Sequence, residues 1–474
     1  MVTLPSTTDL LERGLRGLLG AWRGLGGGEA TIQPRDGVLS AKDADKLRKL
    51  FRECLEERGG EVTARARAAT LGRLYLDLNE DGRRSFLAAL AGDFGTDEAA
   101  VRKAMEAVQT AATPLARQKA ERVLRQALAP ARQRLLTQFT ALPQGVKFLV
   151  DMRAEAARFA KTQPELALLD GDLEDLFVAW FDVGFLEMQR IGWNSPAALL
   201  EKLIAYEAVH AIESWDDLRN RLDSDRRCYA FFHPRMPLEP LIFVEVALVR
   251  GLSGNVQALL DQSQPVLDAG EADTAIFYSI SNTQGGLRGI SFGNFLIKRV
   301  VDDLSRELPN LKTFSTLSPI PGFSAWLREA IAEGMPNVVK ASERDALTAA
   351  LGQRFSKGML PDLLKGSDWT ENAALVKALK PVLLRLCARY LLTAQGSGSG
   401  KGKPRDPVAR FHLSNGAEVH RLNWLGDRSA KGFKESAGLM VNYLYKLDAI
   451  DENHERFVRD GHIAASGEVR KLAD

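Results

Sequence analysis

Ser318 stands directly before Pro319-Ile320-Pro321-Gly322, where a run from Thr313 to Leu317 reads as a strand. The two prolines fix the chain beyond it and hold the hydroxyl in one place. Residues at the carboxyl ends of parallel strands face the crevice in which α/β folds bind ligands. A serine there suits hydrogen bonding to a reacting group, and equally suits capping the turn or the next helix. Ser315, inside the strand, ranks behind it. His412 lies in Arg410-Phe411-His412-Leu413, expected to be a strand, so alternation points it away from the face of Phe411 and Leu413. Proton chemistry and a purely structural role both remain open for it. His420 belongs to the same expected hairpin, for which Asn415-Gly416 is the turn signal. His210, His233, His454 and His462 have no partner at metal-ligand spacing, and no metal is expected.

A third feature precedes these residues. Ala275 to Ile280 is apolar and aromatic enough for a buried strand. Glycines follow at 285, 286, 289 and 293. From Asn294 onward Phe295, Leu296, Val300, Val301 and Leu304 recur on one helical face. A strand, a glycine turn and a helix in this order offer free amides and a positive dipole end to a phosphate. Glycine turns also serve packing alone. No Gly-Lys-Ser/Thr ending marks a nucleoside-triphosphate loop, and no Gly-x-Ser-x-Gly elbow is present.

The elements that must position these groups fall into two textures. Up to about residue 180 the pattern is helical, with helices expected at 62–78, 81–93, 96–111, 113–140 and 144–162 and few residues of catalytic type. A stripe from Leu10 to Trp22 reads as an ordinary first helix. After about 225, strands are expected at 227–232 and 241–249, then the βαβ unit, then helices at 324–333, 342–356 and 369–394. Residues 396–403 form a flexible Gly/Ser-rich loop, and Ser429 to Tyr445 is expected to be helical. Together these make an α+β multidomain chain.

With 474 residues the chain is long enough for two cores. Its 63 basic and 61 acidic side chains nearly cancel, which argues against nucleic acid or a membrane surface as partner. Cys54, Cys228 and Cys387 show no paired spacing and read as reduced thiols.

Several ordered segments together resemble the malonyl-CoA decarboxylase family. They are SISNTQGGLRG (279–289), FLIKRVV (295–301), FSTLSPIPGF (314–323), FHLSNGA (411–417) and GLMVNYLY (438–445), with WFDVGFLEMQRIGWNSP (180–196) and RRCYAFFH (226–233) before them. The resemblance implies a helical bundle used in oligomerisation, 1–180, and a GNAT-like mixed α/β catalytic domain, 181–474. It implies conversion of malonyl-CoA to acetyl-CoA and carbon dioxide by a homotetramer, with no cofactor beyond the CoA of the substrate. By this resemblance Ser318 and His412 are catalytic and Tyr445 lies near them. The CoA-binding turn maps onto Arg288, Gly289, Ile290, Ser291, Phe292, Gly293 and Asn294. Animal members carry a glutamate where this chain has Ser291, which leaves an acidic role there in doubt. The chain ends without the peroxisomal tripeptide of animal members, so a bacterial cytoplasmic location is expected. His412, with an ordinary pKa of about 6.5, suits proton donation near neutrality. Two rivals remain: an N-acetyltransferase using an amine acceptor, and a non-catalytic acyl-CoA-binding scaffold.

Overall fold

The computed structural model describes residues 13–14, 17–22, 32, 34, 36–55, 61–290, 296–396 and 402–474. Much of the expected first helix lies outside these. Residues 17–22 are helical, and Trp22 is fully buried, its indole Nε1 donating to the Pro143 carbonyl at 2.9 Å. The chain then runs through α1 (Ala41–Leu55), α2 (Glu61–Asp77), α3 (Glu80–Asp93), α4 (Glu98–Gln109), α5 (Pro114–Leu128), α6 (Ala131–Gln138), α7 (Gly145–Phe159) and α8 (Ala167–Trp180). The single helix expected over 113–140 is in fact two. Pro130 has no N–H to donate and holds Ala129 extended, so α5 stops and α6 restarts. Trp22, Phe51, Tyr75, Phe86 and Phe148 pack edge to face in the middle of this layer.

One mixed sheet follows. Its strands are β1 (Glu187–Ile191), β2 (Arg226–Phe232), β3 (Pro240–Val249), β4 (Thr274–Asn282), β5 (Thr313–Thr316), β6 (Ser318–Pro319), β7 (Glu418–Asn423) and β8 (Met440–Leu444). The order is β1-β2-β3-β4-β5-β8-β6, with β7 on β8. β1 to β4 are antiparallel, β4 and β5 are parallel, and β8 runs antiparallel to β5, β6 and β7. One face carries Cys228, Ala230, Phe232 and Phe243 against α9 (Ala197–Tyr206) and α10 (Trp215–Arg221).

The opposite face packs on α11 (Leu296–Glu307), whose Leu296, Ile297, Val300, Val301 and Leu304 are all buried. Each such side chain contributes about 1.5–3 kcal/mol when fully buried. The same apolar cluster continues into the helical layer through Leu149, Val150 and Met152 of α7. The remaining helices are α12 (Phe323–Ala332), α13 (Ala341–Leu351), α14 (Ala373–Thr393), α15 (Pro407–Ser414), α16 (Ala430–Ser436), α17 (Ile450–Asp460) and α18 (Gly467–Ala473). The centre of the Gly/Ser-rich loop, 397–401, is outside the described residues, and Gln395 bridges to Pro404 across its base.

Two expectations are corrected here. His412 is on a helix, α15, and Asn415-Gly416 ends that helix instead of turning a hairpin. Gly416 has φ +80°, and a Cβ there would lie 2.2 Å from the Ile450 carbonyl oxygen. The stretch 429–445 is a short helix followed by a strand, because Ala437 (φ +52°) and Gly438 (φ +80°) reverse the chain between α16 and β8.

Candidate active site

β5 ends beside β4, and β6 turns away from it to pair with β8 through Ser318 and Val441. The last link between β4 and this segment is Leu317 N donating to Phe277 O at 3.0 Å. Beyond Phe277, β4 has no partner on that side among the described residues. On its other side a bulge pairs Glu245 with Ser279 and Val246 with Phe277, which leaves Tyr278 out of the ladder. The sheet is thus prised open at Tyr278. A cavity of about 240 Å³ fills the opening, lined by Phe277, Ile280, Asn282, Phe411, Ser318 and His412 among others.

α15 brings His412 to this cavity. Asp406 caps the helix, its Oδ1 accepting from Val408 N and Ala409 N at 3.0 Å each, and Pro407 occupies the first helical position. The other Asp406 oxygen accepts from Tyr390 Oη at 3.3 Å and Gly322 N at 3.4 Å. One buried carboxylate therefore ties the turn after Ser318 to the helix that carries His412. Its burial raises the pKa, while these hydrogen bonds oppose the rise.

Ser318 Oγ donates to Thr316 Oγ1 at 2.8 Å and lies 3.2 Å from His412 Nε2. His412 Nδ1 lies 2.8 Å from Tyr445 Oη. The imidazole also stacks on Tyr443, with centroids 4.6 Å apart. Ser318, His412 and Tyr445 are all buried, at 5%, 2% and 3% exposure. With the Ser318 hydrogen on Thr316, the hydroxyl oxygen is left to accept, so the imidazole carries its proton on Nε2. Nδ1 then accepts from Tyr445, and the four groups form one directed chain.

Burial alone pushes His412 down to about 3 and holds the Tyr445 phenol well above its usual range. The chain is neutral near pH 7. That corrects the expectation of a histidine exchanging protons near an ordinary pKa. Ser315, the second serine candidate, donates to the Tyr443 carbonyl at 3.1 Å, within the strands. His420 pairs with Glu418 at 2.9 Å, and His233 with the Trp180 carbonyl at 3.1 Å.

The glycine turn begins as a single tight helical turn, Gly285–Leu287. Gly286 is required by packing: a Cβ there would sit 1.8 Å from the Val150 carbonyl oxygen of α7. Gly289 has φ +89°, open to glycine and costly for other residues. Arg153, also on α7 and 5% exposed, donates from Nη1 to the carbonyls of Gly286 (2.9 Å) and Arg288 (3.1 Å). Asp170 and Glu174 hold its other nitrogens at 2.9 and 2.8 Å. Arg288 and Gly289 are exposed and Ile290 is buried, whereas Ser291, Phe292, Gly293 and Asn294 lie outside the described residues. Asp406, Thr316, Arg153 and the bulge at Tyr278 were not singled out by sequence reasoning. The Asp406-Pro407 pair is a helix-start signal that marks one of them.

Fold and site define an enzyme of the mixed α/β class, with a helical N-terminal layer and a buried serine–histidine–tyrosine chain at a splayed pair of strands. The malonyl-CoA decarboxylase C-terminal domain model matches residues 184–474, and the N-terminal domain model of the same family matches 94–181. The chain is 47% identical to the malonyl-CoA decarboxylase of Rhodopseudomonas palustris, with a TM-score of 0.81 over 90% of this chain and 99% of that one. For the Agrobacterium vitis enzyme the values are 44%, 0.81, 90% and 100%. It is 36% identical to the mitochondrial malonyl-CoA decarboxylase of Anser anser anser, covering 97% of this chain and 94% of the other. The chain belongs to the malonyl-CoA decarboxylase family.

Proposed function

We infer that this enzyme converts malonyl-CoA to acetyl-CoA and carbon dioxide through a thioester enolate, with Ser318, His412 and Tyr445 handling hydrogen bonding and proton transfer. The bond between Cα and the carboxylate carbon breaks, and its electron pair becomes the enolate, with charge on the thioester oxygen. Cα then takes one proton. The observation that carries this reading is the Ser318–His412–Tyr445 chain at the cavity wall.

Apolar walls at Phe277, Ile280 and Phe411 disfavour a localised carboxylate and favour its departure as neutral carbon dioxide. The open main-chain edge at Tyr278 is the place for donors to the developing oxyanion, each worth about 3–4 kcal/mol. Ser318 swings its hydrogen from Thr316 to Cα, His412 Nε2–H passes to the serine oxygen, and Tyr445 protonates Nδ1, leaving the imidazole neutral in its other tautomer and the phenol ionised. After product leaves, one solvent proton entering the cavity at Ser318 shifts the chain back to its resting state. A thioester enolate is a strong enough base to draw a proton from neutral groups, so His412 need not be imidazolium.

The turn from Arg288 to Asn294 holds the CoA pyrophosphate in this reading. The helical part, 1–180, serves assembly into a homotetramer. The α4–α5 hairpin supports this, since Met105, Leu115, Val123 and Leu128 are 47–62% exposed while Ala104 and Ala120 are its buried residues. A bacterial cytoplasmic location completes the reading. It is supported by three buried free thiols, Cys54, Cys228 and Cys387, and by higher identity with bacterial than with animal relatives. Among the described residues no helix is long and apolar enough to cross a membrane.

The test is carbon dioxide release from malonyl-CoA with no amine present. Wild type should release it, and Ser318→Ala and His412→Ala should each lose at least about a hundredfold in turnover. Acyl transfer that requires an amine would overturn the reading.

A further inference from the structure

Beside the reaction cavity opens a second one, about 960 Å³ in volume, which shares Pro407 and Phe411 with it. Its other walls come from Gly289 of the turn, from Lys403, from Arg410 and Ser414 of α15, and from the end of α17 at Phe457 to Gly461. A malonyl group is far too small to need this space, which falls in the range that holds a nucleotide-sized ligand. The charge on its walls is uneven. Arg459 is paired with its neighbour Asp460 at 2.8 Å. Lys403 and Arg410 have no acidic partner among the described residues. Two uncompensated cations thus face a cavity that joins the reaction site over Phe411 and reaches the turn at Gly289.

We propose that this cavity takes the adenosine 3′-phosphate end of CoA, with Arg410 and Lys403 pairing the 3′-phosphate. The proposal rests on the reading that the turn holds the pyrophosphate. A smaller cavity of about 300 Å³ is lined by the turn at Gly285, Gly286 and Arg288 and by Arg153, Arg158 and Lys161 of the helical layer. It is the poorer host. Arg153 is spent on Asp170, Glu174 and two carbonyls, Arg158 is paired with Glu80, and Asp170 is in its wall. It also shares no lining residue with the reaction cavity. A phosphomonoester carries close to two charges near neutral pH and three acceptor oxygens. Arginine meets it with a planar fork and lysine as a point charge. This pair would let the enzyme distinguish CoA thioesters from otherwise identical thioesters lacking the 3′-phosphate.

The experiment compares malonyl-CoA with malonyl-dephospho-CoA, which lacks only that phosphate. Wild type should prefer malonyl-CoA by about a hundredfold in kcat/KM, mainly through KM. Arg410→Gln and Lys403→Gln should each lose about tenfold on malonyl-CoA with kcat little changed, lose almost nothing on the dephospho substrate, and together abolish the preference. Equal losses on both substrates, no preference in wild type, or a preference removed by Lys161→Gln would each overturn the proposal. Arg153→Met, which loosens the turn without lining this cavity, separates it from the reading beneath. That variant should weaken both substrates alike, and normal binding of both would remove the turn from the pyrophosphate without touching the discrimination test.

Discussion

Tyr445→Phe deletes one hydroxyl and leaves the rest of the side chain in place. The ring keeps its contact with Phe277, at 6.3 Å between centroids, and the backbone N–H still donates to Phe314 at 2.9 Å. What disappears is the 2.8 Å bond to His412 Nδ1. In a fully buried imidazole that nitrogen then has no partner in either tautomer, and the rule that puts the proton on Nε2 is lost. A neutral hydrogen bond is worth about 0.5–1.5 kcal/mol net, and an orphaned buried group costs about 1–3 kcal/mol. With 1.36 kcal/mol per factor of ten, turnover should fall about five- to a hundredfold. Substrate binding does not use this bond, so KM should stay within about twofold. The assay is acetyl-CoA formation at saturating and sub-saturating malonyl-CoA. Unchanged kcat, or a loss expressed wholly in KM, would refute the role assigned to Tyr445.

Three further outcomes follow from the same geometry. Burial holds His412 at about 3 and His210 at about 4, both below the ordinary 6.5. Above pH 6.5 neither contributes, because folded and unfolded states are both neutral. Below it the unfolded chain takes up protons that the folded chain refuses, so each histidine costs up to about 1.4 kcal/mol per pH unit down to its folded pKa. Denaturant midpoints between pH 7 and 5 should therefore fall less steeply in His210→Gln than in wild type. Asp406→Ala removes a helix cap and the link to Gly322, so stability should drop by about 1–2 kcal/mol and kcat by about tenfold at nearly constant KM; Asp406→Asn should recover much of both. Arg153→Met releases the carbonyls of Gly286 and Arg288, and should raise the KM for malonyl-CoA about tenfold with kcat changed less than threefold in steady-state kinetics.

Ser318 was legible because Pro319-Ile320-Pro321-Gly322 punctuates the chain immediately after it and a strand precedes it. α2 to α4, α7, and strands β2 to β4 were legible from apolar spacing and turn residues, which act locally. His412 was reached through family resemblance, and its element was misread for a definite reason. Asn-Gly serves both as a hairpin turn and as a helix stop, because both need positive φ. The competing start signal, Asp406-Pro407, decides between them once it is weighed. Arg153 carries no local mark of its function: its partners Gly286 and Arg288 are more than 130 positions away. The bulge at Tyr278 likewise depends on how β3 and β4 pair, which the residues of either strand alone do not specify.

A double-mutant cycle on kcat shows whether Ser318 and His412 act as one proton-handling chain. Ser318→Ala, His412→Ala and the double variant should be compared for acetyl-CoA formation from saturating malonyl-CoA. Groups that act as a unit are non-additive, so the double variant should be about as slow as the slower single variant. Losses that multiply would mean that the two residues act independently, and would contradict the chain.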